Sequence, residues 1–448
     1  MDTTAKPAST PASAPAPAPV PVLAPAFAEF FRYWLRLGFI NFGGPAGQIA
    51  MMHKDLVDAR GWVREQIFQR SLAFCMLLPG PEAHQLAVYL GWRMHGYRGG
   101  LVAGLFFLLP SVFLMLFLSW LAAEHGSVPV VAGVFRGIAG AVVAIVAQAL
   151  WRMARKSLVH PVFYAFALGS FLMGYALRLK FPGIVVAAGL LGVWLGGVRP
   201  DIFCPGGTCP PPDAEDVRPA PGGSPWRHAG RVALVFAGVW LAVALPVYLL
   251  SGPGSLLPKI LNFYSRASFV TFGGAYAVLA YVSDMSMRLG WLTQEQLVLG
   301  LGLAETTPGP LIMVTQFTGF LTAWTQPGTM SPLAAGIIGG LLATFGMFLP
   351  SFFLVFAGAP YIESLTANPK LRAALTGITA AVVGVILKLG VVFAAATFFP
   401  ASGPAGGGAD FFALALAGLS ALALWRTRLG VHHLVLLCGL AGAAWTLL

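Results

Sequence analysis

Thirteen apolar stretches, most of them near twenty residues long, follow one another from Phe27 to the C-terminus, and this succession constrains the fold more than any other feature. They run over about 27–50, 69–92, 100–123, 130–151, 158–177, 181–198, 229–250, 260–282, 294–325, 331–358, 372–398, 409–425 and 431–448. A helix needs roughly 20 apolar residues to cross the ~30 Å hydrocarbon core of a bilayer, and only helices or closed barrels satisfy their backbone groups there. The chain of 448 residues is 57% hydrophobic and 10% charged, whereas soluble domains carry about 25% charged residues. The expected fold is therefore an all-α polytopic membrane protein with about thirteen transmembrane segments and no separate soluble domain.

Lys+Arg number 27 against 16 Asp+Glu. In a membrane chain that excess reads as the positive-inside bias, and a nucleic-acid partner is excluded. Placing the N-terminus in the cytoplasm and setting aside Arg32, Arg36, Arg136, Arg266 and Lys388, which lie in or at the edge of spans, puts 15 basic residues inside and 7 outside. Residues 1–26 are nearly all Ala, Pro, Ser and Thr and are expected to form a disordered tail rather than a cleaved signal peptide. Residues 199–228, rich in Pro and Gly, are expected to be a cytoplasmic linker; its Cys204 and Cys209 lack a nearby His or third thiol for a metal site.

The chain repeats itself. Arg36-x-x-Phe39-x-x-Phe42-Gly43-Gly44 returns as Arg266-x-x-Phe269-x-x-Phe272-Gly273-Gly274. Gly61-Trp62 returns as Gly290-Trp291, Pro79-Gly80-Pro81 as Pro308-Gly309-Pro310, Leu109-Pro110-Ser111 as Leu349-Pro350-Ser351, and Gly137-Ile138 as Gly377-Ile378. The expected organisation is a first repeat at 27–198, the linker, a connecting helix at 229–250 and a second repeat at 251–448. The unmatched helix at 229–250 turns the second repeat over, an inverted-topology architecture common among secondary transporters.

Pro-Gly-Pro inside an apolar run breaks a helix, because proline lacks an amide donor and clashes with the preceding turn. These two segments either cross the membrane with a break or re-enter it as hairpins. Broken apolar segments at matching positions of two halves point to a transporter site, and Pro81 and Pro310 suit the first turn of half-helices whose free amides attract anions. The plainer reading is a kink without a ligand. Polar groups flank both breaks: Glu82, His84 and Gln85 after the first, Glu305, Thr306 and Thr307 before the second, and Thr315 and Gln316 after it. Intramembrane ionisable residues usually face a cavity and hold a partner. Arg36 and Arg266 are candidate partners for an oxyanion, which a guanidinium grips bidentately; alternatively they snorkel to the interface. Lys388 either pairs with a carboxylate or touches the substrate. Gly43, Gly44, Gly273 and Gly274, preceded by Asn41 and Thr271 at matched distances from the Phe-Gly-Gly copies, serve close packing or a second backbone break facing the Pro-Gly-Pro motifs. No nucleotide loop, zinc motif or nucleophile elbow accompanies them, so no catalytic residue, metal or cofactor is expected.

The runs Asn41-Phe-Gly-Gly-Pro-Ala-Gly-Gln-Ile-Ala50, Leu78-Pro-Gly-Pro-Glu-Ala-His-Gln-Leu-Ala87, Thr271-Phe-Gly-Gly-Ala-Tyr-Ala-Val-Leu279 and Ala304-Glu-Thr-Thr-Pro-Gly-Pro-Leu-Ile-Met-Val314 closely resemble the bacterial chromate ion transporter family. The resemblance spans both halves. It implies a protein of the bacterial cytoplasmic membrane, with two oppositely oriented halves, that exports chromate and confers chromate resistance. Family motif positions carried onto this chain include Phe42, Gly43, Gly44, Pro79, Gly80, Pro81, Glu82, Gln85, Thr271, Phe272, Gly273, Gly274, Glu305, Thr306, Thr307, Pro308, Gly309 and Pro310. The expected site joins Arg36, Arg266, Asn41, Gln85 and Gln316 to these, with Glu82, His84, Glu305 and Lys388 in proton coupling or pairing. Chromate is the expected substrate, sulfate a competitor or the alternative substrate, and an anion channel the alternative mechanism. The lipid bilayer surrounds the protein, and a homodimer is left open.

Overall fold

The computed structural model describes residues 24–203, 224–362, 368–400, 408–427 and 429–447. Most of the expected tail, residues 204–223 of the linker and with them Cys204 and Cys209 lie outside the described residues. Every regular element among the described residues is helical. In chain order these are α1 (Phe27–Ile40), α2 (Gly44–His53), α3 (Glu65–Leu77), α4 (Glu82–His125), α5 (Pro129–Ser157), α6 (Pro161–Tyr175), α7 (Phe181–Val198) and the single turn α8 (Pro200–Phe203). There follow α9 (Pro225–Ser251), α10 (Leu256–Val270), α11 (Ala275–Arg288), α12 (Gln294–Thr306), α13 (Val314–Thr325) and α14 (Pro332–Gly358). The series ends with α15 (Pro369–Phe398), α16 (Phe411–Arg426) and α17 (Val431–Leu447). Six helices among the described residues are long and apolar enough to cross a bilayer.

Four of the apolar segments fold as helical hairpins: the two Pro-Gly-Pro segments take the hairpin alternative, and 27–50 and 260–282, expected as single crossings, turn back as well. In 27–50, α1 and α2 return on each other, so Arg60 Nη1 donates to Glu29 Oε1 at 2.9 Å and stacks over the Tyr33 ring at 5.2 Å. In 69–92 the Phe74 and Tyr89 rings meet at 5.6 Å. In 260–282 Phe263 stacks on Tyr281 at 5.8 Å, and in 294–325 the Phe317 ring lies against Gly300. The cause is local. Asn41–Gly43, Leu78–Pro81, Thr271–Gly274 and Thr307–Pro310 interrupt the helical ladder, leaving arms of 10 to 15 residues. At 1.5 Å per residue such arms reach about 15–22 Å before the chain turns back at the break.

The 44-residue α4 is itself folded back at His95 (φ −129°, ψ 24°) and Gly96 (φ 63°, ψ −153°). The His84 and Phe107 rings are 6.2 Å apart, whereas on one straight helix those positions would be about 35 Å apart. Gly91 and Gly99 let the two arms touch backbone to backbone. The first arm, 82–94, belongs to the Pro-Gly-Pro hairpin; the second, 97–125, matches α14 of the other half, and α5 matches α15.

The halves interlock through small residues, which permit close helix approach where no hydrophobic force separates helix from lipid. Gly137 of α5 abuts the backbone of Cys438 on α17, and its repeat counterpart Gly377 of α15 abuts Ala188 of α7, where an added Cβ would sit 2.8 Å from the Ala188 carbonyl. Each long helix thus packs against the last helix of the opposite half. At the α16 start, buried Asp410 accepts from the Ala413 amide and forms a bidentate pair with Arg136 at 2.6 and 2.8 Å.

Candidate functional site

The four hairpin tips meet inside the bundle. Gly80 N donates to Thr271 O at 2.9 Å, and Gly309 N donates to Asn41 O at 2.7 Å. Each Pro-Gly-Pro tip is therefore held by the Phe-Gly-Gly tip of the other half. The exchange continues in side chains: Ser111 Oγ donates to Pro308 O, and Ser351 Oγ stands 3.0 Å from where a Cβ of Gly80 would be. Gly80 and Gly309 have φ +110° and +113°, a backbone region that L side chains avoid.

A cavity of about 850 Å³ opens against these tips. Its inner end is formed by Gly43, Gly44, Gly273, Gly274 and Gly80, so both Phe-Gly-Gly turns and one Pro-Gly-Pro turn line it. Helices α2, α4 and α11 begin there, at Gly44, Glu82 and Ala275. Their first amides have no partner within the helix and carry its positive dipole end. Three carboxylates line the space: Asp58 on the outer wall, beside His53, and Glu82 and Glu305 nearer the tips. Glu82 lies across Gly274, whose added Cβ would fall 2.6 Å from both carboxylate oxygens. Glu305, nearly buried, accepts a 3.0 Å hydrogen bond from Tyr276 Oη. The outer walls carry His53, Lys54, Arg152 and Lys156.

The expected arginines are elsewhere. Arg36 is exposed on α1 and lines a neighbouring cavity of about 710 Å³ with Tyr33, Ile40, Lys54 and Arg60, of which only Lys54 also lines the first. Arg266 is exposed on α10, in an apolar groove with Trp240, Phe269 and Pro350. α1 packs chiefly on α4 and α10 on α14, and from these positions neither arginine reaches the lining of the cavity at the tips.

Most of the expected polar side chains are engaged with backbone. Gln85 Nε2 donates to Pro79 O at 2.7 Å and Gln316 Nε2 to Val112 O at 2.7 Å, with Thr344 Oγ1 donating to Gln316 Oε1 at 2.9 Å. The hydroxyls of Thr271, Thr306, Thr307 and Thr315 donate to carbonyls three or four residues back on their own helices. His84 is fully buried with the Phe348 and Phe352 rings at 5.0 and 4.9 Å. Lys388 takes the pairing alternative, its Nζ 2.7 Å from Asp284 Oδ1, outside the cavity. Pro79, Pro81, Pro308 and Pro310 shape the tips.

Sequence reasoning placed Arg152 and Lys156 among cytoplasmic loop charges and passed over Tyr276, Gln48, Ser268 and Ser351. Gln48 Nε2 donates to Gly309 O and Asn41 O, tying α2 to the opposite Pro-Gly-Pro tip. Gln85 Oε1, Ser268 Oγ and Ser351 Oγ, together with both side-chain polar atoms of Asn41, are buried without a hydrogen-bond partner among the described residues. Gln85, Ser268 and Ser351 cluster around Gly80, directly behind the cavity's inner end. The recurrence of Leu-Pro-Ser was the available signal for Ser351.

Comparison with known proteins comes down on one side. The family described as "Chromate transporter" matches residues 28–193 and again 258–443. A chromate transport protein of Pseudomonas aeruginosa is 31% identical over 92% of this chain and 91% of its own length. One of Cupriavidus metallidurans is 28% identical over 81% of both chains. An uncharacterized transporter of Methanocaldococcus jannaschii is 24% identical over 81% of this chain and 83% of its own. No solved structure matches.

Proposed function

Since the chain belongs to the chromate transporter family and is a multi-pass membrane protein, we propose that it is a secondary transporter exporting chromate from the bacterial cytoplasm. The observation that carries the reading is the cavity itself. It combines three helix amino-termini at its inner end with Arg152, Lys156 and Lys54 on its walls. Free amides at a helix start stabilise an anion, and cations lining a low-dielectric cleft raise the local anion concentration. Chromate, a tetrahedral dianion, meets the wall cations first and exchanges its hydration for amides near Gly44, Gly274 and Gly80. Unpartnered Gln85, Ser268 and Ser351 atoms mark the continuation behind Gly80.

The hairpins re-enter rather than cross in this reading. Nine crossings remain: the second arm of α4, α5, α6, α7, α9, α14, α15, α16 and α17. The odd number preserves the inverted repeat. The change moves Lys54, Arg60, Arg64 and Arg70 to the inside and Arg288 to the outside, so 15 against 7 becomes 18 against 4. The positive-inside rule favours the higher ratio. Packing agrees, because Arg288 Nη2 donates to the Arg178 carbonyl at 3.0 Å; thirteen crossings would set these two on opposite sides of the membrane. The cavity then opens to the cytoplasm with the N-terminus, beside the end of α5 and the start of α17.

Export follows the membrane potential. Moving a dianion out of a negative interior gains about 4.6 kcal/mol per 100 mV, at about 2.3 kcal/mol per charge, without ATP. Glu305, held by Tyr276, is the proton-coupling group of the reading, and Glu82, lying at the start of α11, is a tethered carboxylate that the dianion displaces.

The test is radiolabelled chromate uptake into everted vesicles with an imposed potential, for wild type and Arg152→Ala/Lys156→Ala, with and without excess sulfate. Saturable, potential-driven accumulation that the double variant loses supports the reading. Movement of sulfate without chromate would reassign the substrate, and non-saturable flux would indicate a channel.

A further inference from the structure

We propose that a closed pocket around Asp284 and Lys388 is the outward-facing counterpart of the cavity and that the Asp284–Lys388 ion pair is its gate. The proposal rests on the inverted-repeat reading above. The repeat supplies the correspondence. The Phe-Gly-Gly copies match Ala280 with Ala50 and Asp284 with Lys54. Gly137 and Gly377 match Val385 with Ile145, Leu389 with Ala149 and Val392 with Arg152. The Gly189-Leu-x-Gly192 and Gly439-Leu-x-Gly442 copies match Phe181 with Val431.

In every one of these pairs the second residue lines the 850 Å³ cavity and the first lines a pocket of about 20 Å³ between α7, α11 and α15. Two equivalent surfaces thus exist, one open and one shut. Two copies of one unit in unlike states are what alternating access between inverted repeats requires.

What shuts the second surface is charge. Asp284 Oδ1 accepts from Lys388 Nζ at 2.7 Å, bringing α11 to α15, while Asp284 Oδ2 accepts from Arg288 Nε at 2.8 Å and Arg288 reaches the Arg178 carbonyl beside α7. This carboxylate ties α15 to α11, and it orients Arg288, which ties α11 to the loop before α7. On the open side Gln148 stands in place of Lys388, so the equivalent clamp cannot form. Opening the outer pocket frees Lys388 to face the exit path, where a cation draws a dianion outward. The pair therefore holds the exit closed while the cavity loads and presents a positive charge when it opens.

The test uses Ala280→Cys on the pocket wall, with the four native cysteines replaced by alanine, and a membrane-impermeant thiol reagent applied to intact cells. Labelling should be slow in that background and about tenfold faster when Asp284→Asn or Lys388→Gln is added, a shift of ~1.4 kcal/mol toward the open state. The exchange Asp284→Lys/Lys388→Asp should return labelling toward the slow rate and recover transport. Outside labelling that ignores all three changes would overturn the gate alone. Labelling of the introduced thiol from the cytoplasmic side only would overturn the inverted reading, and the gate with it.

Discussion

The Gly80 amide and the Thr271 carbonyl, 191 positions apart in the chain, are joined by a 2.9 Å hydrogen bond, and Gly309 with Asn41 repeats it in reverse at 2.7 Å. A Pro-Gly-Pro turn frees backbone groups inside an apolar bundle, where an unpaired one costs several kcal/mol. Here each half supplies the acceptor for the other. The halves are thereby committed to one another at the point where their helices are weakest, and the tip positions become the least tolerant in the molecule.

Gly309→Ala should be more damaging than Gly80→Ala. Both have φ above +100°, a strain of about 1–3 kcal/mol for a residue with a Cβ. At Gly309 the added carbon also collides with Ser111 Oγ, whereas at Gly80 it meets Ser351 Oγ at 3.0 Å. Thermal unfolding in detergent, followed by size-exclusion fluorescence, should rank Gly309→Ala below Gly80→Ala and both below wild type. The reverse order would count against the exchanged tips.

Arg152→Ala and Lys156→Ala should each raise the half-saturating chromate concentration about three- to tenfold, or roughly 0.7–1.4 kcal/mol. The effect should shrink at high salt, because exposed charges are screened beyond about 10 Å. Arg36→Ala and Arg266→Ala, outside the cavity lining, should transport close to wild type. Vesicle uptake kinetics for the four variants decide between the two pairs.

Glu305→Gln should flatten the pH profile of chromate affinity. Protonating Glu305 removes a negative charge from the cavity, so dianion binding strengthens as pH falls; the glutamine variant carries that neutral state at every pH. Its half-saturation should match the acid-side wild-type value throughout the neutral range. Tyr276→Phe, which removes the hydrogen bond to Glu305 Oε1, should move the profile without flattening it. A Glu305→Gln profile parallel to wild type would transfer the coupling role elsewhere.

Single cysteines at Arg60 and Leu289 should label from opposite sides. Nine crossings place Arg60 in the cytoplasm and Leu289 outside, and thirteen place them the other way round. Impermeant thiol labelling of intact cells against everted vesicles separates the two counts.

Asp410→Asn should be less destabilising than Asp410→Ala. Asp410 both pairs with Arg136 and accepts the Ala413 amide that starts α16. Asparagine keeps the cap and loses the charge; alanine loses both, with about 0.5–2 kcal/mol for the cap alone. Melting curves in detergent give the order.

Helix positions, the duplication and its five landmarks were legible in the sequence, since helix formation in an apolar chain and breakage at Pro and Gly are decided within a few residues. The same glycines left close packing and a backbone break both open, and only the structure sets Gly43, Gly44, Gly273 and Gly274 along one cavity. The arginines were not legible either. Arg36, one turn after Arg32, and Arg152, followed by Arg155 and Lys156, are both cations at helix positions in an apolar chain, and no local run of residues says which faces the interior.

What the sequence by itself determined is the unit: short helices ended by Phe-Gly-Gly and Pro-Gly-Pro, written twice, in a chain that only a membrane accommodates. What only the tertiary structure decided is that the broken segments fold back, that each tip binds the opposite half, and that α5 rather than α1 brings cations to the cavity. Those outcomes depend on contacts between residues about 200 positions apart. Such contacts follow from small-residue surfaces matching in three dimensions, a property of the packed bundle rather than of any local run of residues.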